Sequence, residues 1–369
     1  MAYNQNIYMQ FANCIPLKGA SRGIFYDLQR GRHLLVSNFL IDDLIANQNK
    51  IVIDSLDEEY KEYLDCLVEE GWGMYLDEKT SSLFPPLSKE WHHFAKITNA
   101  QVDFFNNKTD FDFFFTNTLP QFDTLICKDF QINFLELISF KELLSFLISF
   151  NDTDVNSLNI FLPYSTINDE NLDELFEKQP RLNDVFFYNS PDNFISKSKK
   201  NIAYIKNDIT KRNDAVISPV YFCINMALFT ESQCHNTYYN RKVCIDAFGN
   251  IKNSPEHSTS FGNINNTSLE SAIMQKGFDD YWYISKDLID VCKDCEFRHM
   301  CVDACVPVKR ENNTWYRCIE CNYNPYINKW AGEDNYRSLE ESGVTVNFKD
   351  FEIDQKKLHA VNKELWGND

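Results

Sequence analysis

Four cysteines fall within fourteen residues as Cys292-x2-Cys295-x5-Cys301-x3-Cys305, and Cys318 and Cys321 follow closely. Cys234 and Cys244 lie upstream. Two cysteines separated by two residues can turn both thiolates towards one metal centre. Repeated pairs in a turn-rich segment therefore read as a metal or iron–sulfur site. A disulfide framework is the competing reading. The opening MAYNQNIYMQFANC has no basic region leading into an apolar core, so no secretory signal supports disulfides. A reducing cytoplasm, where clustered thiols are available as ligands, is the expectation.

Other residues near these cysteines invite weaker readings. His235, His257 and His299 are candidate ligands or hydrogen-bond donors to ligands, but a lone histidine in a loop is more often structural. Lys293 and Arg298 sit between the cysteines, where they would offset thiolate charge or simply be solvated. Trp282, Tyr283 and Trp315 would shield a centre from solvent. Cys14, Cys66, Cys127 and Cys223 are scattered and read as inert thiols. The sequence contains no P-loop and no GxGxxG fingerprint, and no Ser/His/Asp arrangement can be assigned from it.

The elements that must position the cysteines come from a chain of 369 residues, long enough for two or three domains. Hydrophobic residues make up 44% and aromatic residues 15%, with 30 Phe, which is ample for real cores. A formal charge of −18 disfavours binding to nucleic acid or to an anionic membrane surface. A basic peptide segment would be attracted instead. No apolar run approaches the length of a membrane span.

Residues 1–95 read as a small α/β module. Ile24–Leu28 and Leu34–Val36 flank Arg30-Gly31-Arg32 as a hairpin, and Phe39–Ile45 reads as a short helix. Leu56, Tyr60, Leu64, Leu67 and Val68 define an amphipathic helix that closes at Gly71. Met74–Leu76 is a further strand. This set suits a winged-helix-like peptide-recognition module. Residues 96–229 alternate strands and helices. Strands are expected at 97–105, 124–127, 158–162, 185–188 and 202–205, and helices at 134–150 and 171–179. That alternation predicts a parallel sheet in an open or partial (β/α) barrel. Residues 230–330 form the cysteine-rich region, with a hairpin around Gly249 and a short helix at 269–274. Residues 292–321 would be mostly loop and depend on a bound metal for folding energy. Residues 331–369 read as a charged, loosely patterned tail.

The spacing of Cys292, Cys295, Cys301 and Cys305 resembles SPASM domains, the auxiliary iron–sulfur modules of peptide-modifying radical S-adenosylmethionine enzymes. So does Cys234, separated from Gly249 by fourteen intervening residues. The segments FANCIPLKGASRGIFYDLQRGRHLL, FPPLSKEWHHFAKITNAQVD, YYNRKVCIDAFGNIKNSPEHSTSFGNI, YWYISKD and VCKDCEFRHMC extend the likeness over roughly residues 7–330. They resemble the SPASM-domain peptide maturases of grasp-with-spasm systems, which act beside an ATP-grasp peptide ligase on a short ribosomally made precursor peptide. The resemblance implies one or two [4Fe-4S] clusters, with zinc as the alternative. One cluster would use Cys292, Cys295, Cys301 and Cys321. The other would start from Cys234 and Cys305, with Cys244 and Cys318 as substitutes. It also implies an accessory role in peptide maturation. The alternatives are direct modification of the peptide by an Fe–S enzyme and a zinc-stabilised interaction module.

Two departures qualify the likeness. The Cys-x3-Cys-x2-Cys triad of the radical enzymes is missing, so radical chemistry has no support in the sequence. Position 254 is Ser where the pattern calls for Cys, and position 238 is Tyr where members often carry Cys.

Overall fold

A computed structural model describes residues 6–105, 107–164, 169–196, 201–209 and 222–367, with the side chains of 169–171 set aside. The chain forms two compact units. The first comprises Met1–His92, Val216–Thr237 and Ile284–Asp369, and the second His93–Ala215 and Tyr238–Tyr283. The cysteine-rich stretch 230–330 is therefore divided, with 238–283 in the second unit and the remainder in the first.

The first unit begins with six short strands: β1 (Ile7–Gln10), β2 (Cys14–Lys18), β3 (Gly23–Asp27), β4 (Arg32–Val36), β5 (Lys50–Val52) and β6 (Gly73–Leu76). They make two antiparallel sheets, ordered β5-β1-β6 and β2-β3-β4. The β3–β4 hairpin turns at Gly31, whose φ of +65° needs no Cβ. Helix α1 (Asn38–Ala46) starts where the Ser37 side chain accepts from the Leu40 amide, and α2 (Glu58–Glu69) where Asp57 accepts from Tyr60. Helix α2 ends ahead of Gly71, at φ +75°. Leu40, Ile41, Leu44, Leu64 and Leu67 bury their helical stripes against Tyr8, Phe25 and Trp72. The hairpin, both helices and the last strand lie where periodicity placed them. A one-turn helix, α3 (Glu78–Ser81), follows.

The second unit is built on β7 (Asn99–Phe104), α4 (Lys108–Phe113), α5 (Leu119–Thr124), β8 (Asp129–Phe134), α6 (Phe140–Ile148), β9 (Ser157–Pro163), α7 (Asp169–Lys178), β10 (Leu182–Tyr188), β11 (Phe194–Ile195) and β12 (Ile202–Tyr204). The chain visits the first unit for α8 (Met226–Ser232). It then returns for β13 (Lys242–Ile245), β14 (Ile251–Lys252) and α9 (Leu269–Ile273). One mixed eight-stranded sheet results, ordered β11-β12-β10-β9-β8-β7-β13-β14. From β7 to β10 each strand pairs in parallel with its predecessor. The helices between these strands share one core with a single face of the sheet. That face is apolar: Val102, Phe104, Ile132, Phe134, Leu158, Ile160, Val185 and Phe187 share a core with Leu143, Phe146, Leu147, Leu172 and Leu175. Edge-on phenylalanine contacts, such as Phe104 with Phe111 and with Phe146, each add about 0.5–1.5 kcal/mol beyond burial. The alternate residues of β7 and β8 are polar, whereas those of β9 and β10 include the stacked pair Phe161 and Phe186. Gln101 and Asn133 both donate to Asp103, at 3.0 and 2.7 Å.

Two expectations in this unit need correction. Residues 124–127 are not a strand but the end of α5 and the turn after it, with Ile126 at φ +62°; the strand starts at Asp129. Leu125 and Cys127 are buried in this turn while Ile126 is exposed, so apolar content here does not mark a strand. The helix expected over 134–150 covers only 140–148. Phe134 ends β8, and Ser139 with Glu142 forms a capping box that sets the later start.

The chain completes the first unit with three small hairpins: β15 (Pro307–Lys309) with β16 (Trp315–Arg317), β17 (Tyr323–Asn324) with β18 (Lys329–Trp330), and β19 (Val344–Val346) with β20 (Phe351–Ile353). Helix α10 (Gln355–Trp366) follows, capped by Asp354. The segment read as a loose tail is thus ordered around Val291, Tyr326, Leu339 and Val344, which form a core of their own. Among the described residues no helix is long and apolar enough to cross a membrane.

Candidate metal centre

The β2–β3 sheet face and the cysteine loop share one core. Ile15, Ile24, Tyr26 and Leu28 pack with Phe229, Phe297, Met300 and Tyr323, and Cys295 and Cys321 lie against them. Polar contacts between the β2–β3 turn and the loop align the two. Ala20 N–H donates to the Asp294 carbonyl at 2.7 Å, and Arg298 donates to the Lys18 carbonyl at 2.9 Å. Arg22 Nε donates to the buried Glu296 carboxylate at 2.7 Å, and Tyr323 Oη donates to the same oxygen at 2.5 Å. Gly19 allows this approach, because a Cβ there would stand 2.5 Å from the Arg22 carbonyl oxygen and 2.9 Å from Glu296 Cβ.

Cys292 opens a single 3-10 turn, and the Cys295 amide closes it on the Cys292 carbonyl at 3.0 Å. The preceding Val291 holds φ at +69°, an outlier for a β-branched residue. Cys301 is bridged to Phe222, and its amide donates to the Phe297 carbonyl at 3.0 Å. The Tyr323 amide points at Cys321 Sγ, 3.4 Å away. Burial pushes the thiols of Cys292, Cys295 and Cys301 up, and that of Cys321 up to about 11. The four also act on one another. Cys295 feels Cys321 and Cys301, Cys301 feels Cys292 and Cys321, and Cys321 feels Cys292. They occupy one neighbourhood, and it holds the four thiols that the sequence resemblance joins in one cluster.

Two cations compensate this neighbourhood, and neither was singled out in the sequence. The Lys286 ammonium and the Arg317 guanidinium both lower the Cys292 thiol. Burial would raise the Asp303 carboxyl, but Lys286 and Arg317 hold it at about 2. Lys286 contacts Asp303 directly, and Arg317 Nη2 lies 3.6 Å from the other Asp303 oxygen. Lys293 and Arg298, read as offsetting thiolate charge or as simply solvated, pair with carboxylates. Lys293 pairs with Asp290 at 2.6 Å and Arg298 with Asp287 at 2.7 Å. Lys286 lies six residues before Cys292 and Arg317 four before Cys321, so no local motif marks them.

The other candidates are dispersed. Cys234 and Cys318 are exposed, and Cys305 is buried with its amide on Asp303 at 3.1 Å. Cys244 is buried on β13, in the second unit. Tyr238 and Ser254, the two positions that depart from the cysteine pattern, both donate to Glu256 in that unit, and the Lys242 ammonium lies 3.8 Å from the Tyr238 ring centre. His299 is buried against Ser232 Oγ at 2.9 Å, His257 stacks on Tyr239, and the His235 ring meets that of Trp91. Trp282 packs on Phe278 in the second unit, Tyr283 is exposed, and Trp315 lies on β16.

Among the described residues, no group of three or more His, Cys, Asp or Glu side chains stands in geometry that could hold a metal ion. The chemistry of the donor set nevertheless fits a thiolate-bound group. The half-buried thiols lie within electrostatic reach of Lys286 and Arg317, and the Nε and Nη2 of Arg317 are buried without a hydrogen-bond partner. Cationic donors of that kind match an anionic, sulfur-rich occupant. Comparison with protein-family models, curated proteins and solved structures found no match.

Proposed function

We propose that this chain is an accessory maturase for a ribosomally synthesised peptide. It binds the precursor and acts with an ATP-grasp ligase, and Cys292, Cys295, Cys301 and Cys321 hold a [4Fe-4S] cluster. The observation that supports the reading most is the shared, cation-compensated neighbourhood of those four thiols. They coincide with the ligand set that the grasp-with-spasm resemblance implies. The cluster gives the loop-rich segment 292–321 folding energy and a fixed shape. The role of the protein itself is to seal thiols from solvent, compensate their charge and present the surrounding surface. The N-terminal strands and helices serve as a winged-helix-like peptide module in this reading. β5 and β6 are the outer strands of their sheet, and adding an extended peptide to such an edge is a common recognition mode. A charge of −18 favours a basic precursor segment.

The test is anaerobic co-purification of the full chain with a precursor peptide and an ATP-grasp ligase from the same gene neighbourhood. Capture of both by cluster-loaded protein is the expected result. Loaded protein that binds neither would sink the proposal. Zinc in place of iron and labile sulfide would leave only the interaction-module alternative.

A further inference from the structure

Arg317 ends β16 with its side chain only 8% exposed. Its Nε and Nη2 are buried without a hydrogen-bond partner. A buried donor left in that state costs about 1–3 kcal/mol, so a fold that keeps one calls for an acceptor. Asp303 does not fill this role. It lies 3.6 Å from Nη2, beyond hydrogen-bond reach, and it already accepts from Lys286 and from the Cys305 amide. The Lys286 and Asp303 charges offset each other, which leaves the guanidinium as one positive charge in excess. Its other charged neighbours are sulfurs, those of Cys292, Cys305 and Cys321.

We propose that Arg317 is the tuning residue of the centre, its Nε–H and Nη2–H donating to sulfur atoms of the group held by Cys292, Cys295, Cys301 and Cys321. The inference rests on the iron–sulfur reading of that site. Four thiolates leave a cluster net negative, and one-electron reduction makes it more so. A buried cation with directed N–H···S bonds stabilises the reduced form more than the oxidised one, which raises the reduction potential. Arginine serves better than lysine here because its planar fork aims two donors from one rigid group. The electron comes from an external low-potential donor, represented in the test by a viologen couple.

The test uses the full chain as wild type, Arg317→Gln and Arg317→Lys, purified anaerobically. Iron and labile sulfide are counted first. Each loaded protein is then poised with reduced viologen at the wild-type midpoint, and the reduced fraction is read by electron paramagnetic resonance. R317Q should lower the ratio of reduced to oxidised cluster about tenfold, equivalent to about 59 mV for one electron. R317K should lower it by less, since the charge stays and the fork is lost. Wild-type ratios in both variants would overturn the inference and leave the cluster reading intact. If R317Q fails to fold or load, R317K decides: a lowered ratio supports the inference and an unchanged one overturns it. Wild-type protein without iron and sulfide would overturn the cluster reading itself.

Discussion

Tyr238 and Ser254 donate to the same carboxylate, that of Glu256, at 3.2 and 2.5 Å. These are the two positions where the cysteine pattern is broken. Their side chains satisfy one another's polar needs through Glu256, and Lys242 adds a cation over the tyrosine ring. The trio fills these two positions without leaving a polar gap.

One consequence is a count. Anaerobic protein should carry about four irons and about four labile sulfides per chain, a single cluster. Cys292→Ser, Cys301→Ser and Cys321→Ser should each lose most of the iron. Cys234→Ser and Cys318→Ser, at exposed sites, should keep it. Iron and sulfide analysis of the five variants checks this, and about eight irons in the wild type would refute it.

The loop approach at Gly19 should tolerate no side chain. In Gly19→Ala the new Cβ meets the Arg22 carbonyl oxygen at 2.5 Å and Glu296 Cβ at 2.9 Å, and the first of these is backbone. The expected cost is about 1–3 kcal/mol, read as a lower urea midpoint. An unchanged midpoint would mean that the turn is not held against the cysteine loop.

Glu296 is fully buried and accepts from Arg22 Nε and Tyr323 Oη. Glu296→Gln keeps the size but leaves Arg22 without its ion-pair partner. Arg22 is 26% exposed, so water relieves part of the penalty and a loss of about 2 kcal/mol is expected. Arg22→Met with Glu296→Gln should recover part of it, which a double-mutant cycle measures.

His257 supplies a pH dependence. Burial between Tyr239 and Tyr281 lowers its pKa to about 4 from an ordinary 6.5. The fold therefore favours the neutral ring while the unfolded chain takes up the proton. This contribution is fully present above about pH 6.5 and is lost as pH falls towards 4, by up to about 3 kcal/mol. His257→Phe should retain the ring stacking and flatten stability between pH 7 and pH 4.5. Urea denaturation of both proteins at the two pH values checks the slope.

Much of the secondary structure was legible because it depends on local periods and caps. The helix stripe from Leu56 to Val68, the Gly31 hairpin and the alternation of strands and helices after Asn99 each follow from residues close in sequence. The structure departs from the expectation at 124–127 and 134–139, where an apolar run is a partly buried turn or a strand end. Apolar content cannot separate those cases.

The spacing of Cys292, Cys295, Cys301 and Cys305 marks a candidate metal region by chain geometry, and the set with Cys321 follows from the resemblance alone. Tertiary structure decided what surrounds them. It brought Lys286 and Arg317 to the thiols, paired Lys293 and Arg298 with carboxylates, placed the N-terminal β2–β3 turn against the cysteine loop, and put Cys244 in the other unit. Those choices follow from burial and ion pairing between residues up to some 300 positions apart, such as Arg22 with Tyr323 at a separation of 301. No local pattern encodes such partners, because their energy exists only once the segments have met.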